Sequence, residues 1–168
     1  MEAAALDLWQ KIKRFELDDP NAAFSFSDRL ARENNWTKEY ALRTILEYKK
    51  FMLLICQATH PLTPSDQVDQ VWHLHMIYTQ SYWTDFCEKT MGRTVHHGPT
   101  KGGDTEKDRY RDLYQETKNF YKTVFQTDAP ADIWPSSSVR FGELRFARVN
   151  LHRNWVIQKP KFLRKWKF

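Results

Sequence analysis

The chain has 168 residues, a length that suits one domain with a sizeable core and excludes two independent catalytic domains. Its longest apolar run, residues 51–56, is far shorter than the about 20 residues that a bilayer span requires, so we expect neither a membrane span nor a secretory signal peptide. The net charge of +5 belongs to the C-terminal part, because residues 127–168 hold nine of the 26 Lys and Arg but only three of the 21 Asp and Glu.

The N-terminal third has apolar residues at helical spacing, which predicts three helices. The first carries the apolar stripe Leu8, Trp9, Ile12 and Phe15. A short second helix is predicted within Phe24–Asn35, where Ser25 or Ser27 could cap the N-terminus. The third begins at Thr37, a suitable N-cap, and has in phase Ala41, Ile45, Tyr48, Met52 and Ile55.

A fourth helix is predicted to start in the segment Thr63-Pro64-Ser65-Asp66. This segment offers a capping hydroxyl, proline at the first helical position and an acid at the third. The helix either continues or bends near Tyr78 and Thr79. The apolar residues of this region are Val68, Trp72, Met76, Tyr82, Trp83, Phe86 and Cys87.

Four of the five glycines fall between Gly92 and Gly103, which predicts a loop. A further helix, starting at Asp104 or Thr105, has one apolar face made of Tyr110, Leu113, Thr117, Phe120 and Val124. The sequence therefore predicts an all-α fold, a single bundle of about five to six helices over residues 1–126.

The two cysteines, Cys56 and Cys87, lie in predicted apolar helix faces and lack a CxxC spacing. This arrangement excludes a disulfide framework and favours a reducing, cytoplasmic location.

Residues 127–168 are predicted to form a basic, aromatic-rich C-terminal extension. Gly142-Glu143 could form a two-residue hairpin turn. A helix is equally compatible with the spacing of Phe141, Leu144, Arg148 and Leu151, so both conformations stay open.

Four of the six histidines occur as two pairs, His73-x-His75 in the fourth helix and His96-His97 in the glycine-rich loop. Imidazole is the commonest protein ligand for transition metals. On a regular helix two positions that are two residues apart point about 200° apart, so the first pair cannot bind one ion. Adjacent residues in an extended loop diverge as well. A single site is therefore predicted to take one histidine from each pair.

Asp69 favours His73 as the helix ligand, because it lies four residues earlier on the same face. Its carboxylate could bind the metal directly or orient the imidazole of His73. The predicted site is Asp69, His73 and one loop histidine, His97 in preference to His96, with an open position for water. His75 faces apolar residues, and it stays open whether His75 and His96 are further metal ligands or structural residues.

Zinc or iron is predicted over magnesium, because imidazole outnumbers carboxylate in this cluster. The predicted function is a metal-binding helical protein whose ion could activate water or dioxygen towards an unidentified small molecule. Tyr78 and Tyr82 could donate hydrogen bonds near the ion, and Arg93 could orient an anionic substrate.

An alternative function is a non-enzymatic interaction module whose histidines are structural. The C-terminal extension would then bind nucleic acid or a protein partner, with cations on phosphates and aromatic rings on bases. The residues predicted for this role are Arg148, Arg153, Trp155, Lys161, Arg164 and Trp166.

The histidine segments also carry a resemblance to a known family. The motifs are Glu47-Tyr48-Lys49-Lys50-Phe51, Val68-Asp69-Gln70-Val71-Trp72-His73-Leu74-His75, Tyr78-Thr79 with Tyr82, and Gly92-Arg93 followed by His96-His97-Gly98-Pro99. With them, residues 40–125 resemble the glycine-rich domain-containing protein-like family of plants and bacteria. The resemblance implies that the histidines act together, and it assigns no reaction or cofactor. The plant members are described with appended glycine-rich or RNA-binding segments, and this sequence departs from them in having no glycine-rich tail.

Overall fold

The computed structural model describes residues 3–98, 104–142, 149–150 and 152–157, and the regular secondary structure in this part of the chain is all helical, without a strand. The helices are α1 (Ala3–Arg14), α2 (Phe26–Asn34), α3 (Lys38–Gln57), α4 (Asp66–Ile77), α5 (Gln80–Met91), α6 (Asp104–Phe125) and α7 (Ser137–Arg140). The predicted all-α class is confirmed. The described residues hold seven helices and not five or six, since α5 is separate from α4 and α7 adds a single turn.

Helix α3 is the central element, and α1, α2, α4 and α6 all pack against it. Its last three turns are buried on nearly every side, as expected for a helix enclosed by others. The buried residues of these turns include Tyr48, Phe51, Met52, Leu53 and Leu54. None of the described helices combines the length and the apolarity that crossing a membrane requires.

Side-chain caps fix the residues at which α2 and α3 begin. Ser25 caps α2 in a reciprocal capping box with Asp28, and the side chain of Thr37 caps α3 by accepting the amide of Tyr40, as predicted. The start of α4 differs from the prediction, because the cap is Ser65 and not Thr63. The amide of Thr63 instead donates to Thr117 Oγ1 at 3.0 Å and ties the α3–α4 connection to α6.

The chain bends after α4, one of the two predicted alternatives. The amide of Tyr78 donates to His75 O and closes the helix, and α5 then follows as a π-helix. Its buried residues are spaced by four, one and four positions, which keeps one face towards the core in the wider π-helical winding. These residues are Tyr82, Phe86, Cys87 and Met91.

The inner face of α6 is shifted by one residue from the predicted face. Tyr114, Thr117 and Tyr121 are fully buried, whereas the other predicted positions are half-buried. The shift follows from hydroxyl partners inside the bundle. Tyr114 donates to Pro135 O at 2.9 Å, and Tyr121 donates to the carboxylate of Glu47 at 3.3 Å.

The first part of the predicted C-terminal extension packs against the helices. Ile133 and Trp134 are buried, and the indole of Trp134 donates to Glu47 Oε2 at 3.0 Å. After α7, Phe141 packs edge-on against Tyr114. The packed core thus reaches past residue 126. The predicted hairpin or helix beyond Gly142 lies largely outside the described residues.

Candidate metal centre

Helix α4 places Asp69 and His73 on one face, as their four-residue spacing predicts. Asp69 Oδ2 lies 3.8 Å from His73 Nδ1. The side chain of Asp69 is 17% exposed and that of His73 is 48% exposed, so the pair lies at the edge between core and solvent. Asp69 sits in the first turn of α4, where the partial positive charge of the helix N-terminus favours a carboxylate.

The third member comes from the loop after α5. Gly92 adopts a left-handed conformation with φ of 67° and ends α5, which redirects the chain towards α4. His97 Nε2 then donates to Asp69 Oδ1 at 2.7 Å. The structure thus brings together Asp69, His73 and His97, the three residues that the sequence ranked first.

The three side chains form a compact ligand group. One ligand atom from each of them lies within 4.8 Å of the others, and the rings of His73 and His97 have centroids 4.5 Å apart. In a tetrahedral zinc site, metal–ligand bonds of about 2.0–2.2 Å place ligand atoms about 3.3 Å apart. The half-exposed His73 can supply the small inward shift this requires, and the metal would replace the proton between His97 and Asp69.

The loop that carries His97 is held by a buried relay of hydrogen bonds. The indole of Trp72 donates to Tyr82 Oη at 2.8 Å, and the Tyr82 hydroxyl donates to Val95 O at 2.6 Å. Trp72 also packs against the ring of His97, with centroids 4.4 Å apart. Tyr82 is therefore a positioning residue for the loop, and its hydroxyl proton is already engaged by the backbone.

We expect Tyr82→Phe to weaken zinc binding by about 10–100-fold, the usual effect of losing an outer hydrogen bond that orients a ligand. The reason is that Val95 O and the indole N–H of Trp72 both lose their partner. A competition titration of zinc against a chromogenic chelator measures the change.

The matched control for this change is Tyr40→Phe, which removes a hydroxyl that donates to Asp132 O, remote from the loop. Equal zinc affinity of Tyr82→Phe and wild type would contradict the positioning role. A loss of the same size in Tyr40→Phe would assign the effect to general loosening of the fold.

His75 lies in the core and is not part of the ligand group. It is fully buried, with Nδ1 hydrogen bonded to Tyr48 Oη at 2.8 Å and Nε2 to Ser81 Oγ at 3.1 Å. Burial, together with the positive charge of Lys49, lowers the pKa of His75 to about 3. The sequence predicted that His73 and His75 point in opposite directions. In the structure His73 lies at the edge of the bundle and His75 lies in the core.

The other predicted neighbours have separate contacts. His96 is exposed and lies against Trp83, with ring centroids 5.4 Å apart. Tyr78 packs against Phe26 in α2. Arg93 donates to the carbonyls of Ile55 and Cys56, each at 3.3 Å, at the C-terminus of α3. These contacts place the side chains of the three residues beside the loop or in the bundle.

Two of the six residues predicted to bind nucleic acid or a protein lie in the described part of the chain. Arg153 is exposed and Trp155 is 93% exposed. The other four, Arg148, Lys161, Arg164 and Trp166, lie outside the described residues. Binding by the extension stays a prediction.

Sequence reasoning missed the contact between Trp72 and His97. The spacing predicts Trp72 on the apolar face of α4, and Trp72 is buried there. The position of Trp72 directly before His73 could have indicated this role, because a large ring at the edge of the core can pack against a neighbouring metal ligand. The contact with His97 itself depends on the loop conformation, which spacing does not reveal.

Together, the fold and the site define an all-helical protein that presents an Asp–His–His group at the edge of its bundle. A family model matches residues 16–120, which include α2 to α5, most of α6 and the whole ligand group, and the chain belongs to that family, UCP032817-like. The expected membership of the glycine-rich domain-containing protein-like family was wrong, because the family model that matches these residues is the UCP032817-like one. No curated protein and no solved structure matches the chain.

Proposed function

We propose that the protein binds one zinc or ferrous ion through Asp69, His73 and His97 and uses it to activate a bound water or dioxygen. The observation that supports this proposal is the clustering of one carboxylate and two imidazoles within 4.8 Å, drawn from a helix and a separate loop. The four-residue spacing on α4 accounts for Asp69 and His73 lying side by side. His97 joins them only through the folding of the loop after α5.

The ligand chemistry favours a transition metal. Magnesium and calcium prefer oxygen ligands, whereas imidazole suits zinc and iron. Two imidazoles and one carboxylate are typical of catalytic zinc centres with an open fourth position, and also of ferrous centres that bind dioxygen. The 48% exposure of His73 gives the open positions access to solvent and to a small molecule.

The protein groups have distinct roles in this proposal. Asp69 supplies charge, which partly neutralises the ion. Trp72 closes one side of His97, so water and substrate approach from the side of His73. When bound, zinc would lower the pKa of its water to about 7, and ferrous iron would supply electrons to dioxygen.

The test is metal analysis of tag-free protein after loading with zinc, or with ferrous iron under anaerobic conditions, followed by gel filtration. We expect about one ion per chain in the wild type and less than about 0.1 in Asp69→Asn and in His97→Ala, because each removes one of three ligands. Circular dichroism checks that the variants remain helical.

The matched control is His96→Ala, which removes the neighbouring imidazole outside the group and should keep about one ion per chain. Retention of the metal in His97→Ala together with its loss in His96→Ala would refute this ligand set. Absence of metal in wild-type protein after both loadings would refute the metal-binding function altogether.

A further inference from the structure

A cavity that shares no residue with the metal centre lies between the α1–α2 connection and one face of α3. It is lined by Glu16, Leu17 and Asp18 from the connection and by Leu42, Ile45, Leu46 and Lys49 from α3. Its volume is about 160 Å³. An engineered protein cavity of about 150 Å³ holds benzene, so this cavity suits a small molecule.

The cavity contains a buried ammonium group. Lys49 is only 8% exposed, and its Nζ donates to Lys13 O at 3.0 Å, in the last turn of α1. An ammonium has three N–H donors, and this contact uses one of them. Among the described residues Lys49 has no ion-pair partner. Because a buried charge costs free energy unless it is paired, Lys49 is suited to receive an anionic group.

Two carboxylates line the same cavity, and the fold engages one of them. Asp18 accepts from the amide and from the hydroxyl of Ser27, at 2.7 Å and 2.5 Å. Glu16 is exposed, and no described residue donates a hydrogen bond to its side chain. Burial lowers the pKa of Lys49, and the negative charges of Glu16 and Asp18 oppose this shift. The cavity therefore offers a ligand one cationic group, Lys49, and one anionic group, Glu16.

We infer that this cavity binds a zwitterionic amino acid with an apolar side chain. The carboxylate of the ligand accepts from Lys49 Nζ, and the ammonium of the ligand donates to Glu16. Leu42 and Leu46 are one turn apart on α3 and are 47% and 38% exposed. An aliphatic side chain that lies on these two leucines removes their apolar surface from water, which favours binding.

The charges around the cavity favour a zwitterion over a simple anion or a simple cation. A carboxylate ligand without an ammonium group meets the negative charges of Glu16 and Asp18. An amine without a carboxylate group meets the positive charge of Lys49. Each of these ligands places like charges side by side, which costs binding free energy. The inference is independent of the function proposed for the metal centre.

The test is isothermal titration calorimetry of the full chain with L-leucine, for which we expect a single saturable site. Glu16→Gln and Lys49→Gln should each weaken leucine binding by about 10–100-fold, because each removes a hydrogen bond between charged groups. Isocaproate lacks the ammonium group of leucine, and isopentylamine lacks its carboxylate. Both should bind more weakly than leucine by about the same factor.

The matched controls are Glu88→Gln and Lys89→Gln, which change exposed residues of α5 outside the cavity and should keep the wild-type affinity for leucine. Glu16→Gln changes an exposed side chain and keeps the test valid if Lys49→Gln fails to fold. Absence of saturable leucine binding would overturn the inference, and so would wild-type affinity in Glu16→Gln. Isocaproate that binds as tightly as leucine would also overturn it, by showing a site for simple carboxylates.

Discussion

Replacing Glu47 by alanine is expected to lower the free energy of unfolding by about 3–5 kcal/mol, the range measured when one partner of a buried ion pair is removed. The Glu47 side chain is 5% exposed and accepts hydrogen bonds from three elements of the fold. The donors are Lys50 Nζ at 2.8 Å, Trp134 Nε1 at 3.0 Å and Tyr121 Oη at 3.3 Å. The truncation leaves all three donors without this acceptor, and the Lys50 charge largely unpaired.

Urea unfolding at neutral pH measures this effect. The matched control is Glu39→Ala, an exposed glutamate in the first turn of the same helix, which should change stability by no more than about 0.5 kcal/mol. Glu47→Gln keeps an oxygen for Trp134 but loses the charge opposite Lys50. Its loss of unfolding free energy should therefore lie between the losses of Glu39→Ala and Glu47→Ala. A loss below about 1 kcal/mol in Glu47→Ala would contradict the role of this carboxylate.

Lowering the pH from 7 to 5 is expected to cost about 2 kcal/mol of stability through His75 alone. Burial lowers the pKa of His75 to about 3 in the folded state, against 6.5 for the free side chain. Between these values the unfolded chain binds the proton and the folded chain does not. The stabilisation by neutral His75 is therefore complete above pH 6.5 and is lost as the pH falls towards 3.

The measurement is the slope of unfolding free energy against pH for wild type and His75→Gln, which cannot titrate. The variant is less stable than the wild type at pH 7. The decrease in its unfolding free energy between pH 7 and 5 should be about 2 kcal/mol smaller than the decrease for wild type. The control variant is His60→Gln, which removes an exposed histidine. An unchanged slope in His75→Gln would show that His75 does not cause the acid sensitivity.

Local sequence signals predicted the helices and two of the three members of the ligand group, because these features depend on neighbours within one or two turns. The caps Ser25 and Thr37 and the pair Asp69 and His73 are of this kind. The cap of α4 was misplaced because Thr63 and Ser65 are equivalent by residue type. Only the packing of Thr63 against Thr117 on α6 distinguishes them.

Contacts between residues that are far apart in the sequence could not be predicted from local spacing. The sequence predicted His97 in preference to His96, but the interactions that place His97 beside Asp69, such as the hydrogen bond between Tyr82 and Val95, are not visible in local spacing. The neighbours Tyr78, Tyr82 and Arg93 were chosen for proximity in sequence, whereas the fold uses them in packing and in holding backbone carbonyls. The buried position of Trp134 was missed because its partner Glu47 is 87 residues away.

The contact between Glu47 and Trp134 has a consequence for the order of folding. Helices α1 to α5 meet through short connections, whose closure costs little entropy and occurs early. The strap of residues 129–135 can dock only after α3 and α6 have come together, since Trp134 contacts Phe51 on one and Tyr114 on the other. We therefore expect the strap to dock late in folding, with the carboxylate of Glu47 hydrated until then.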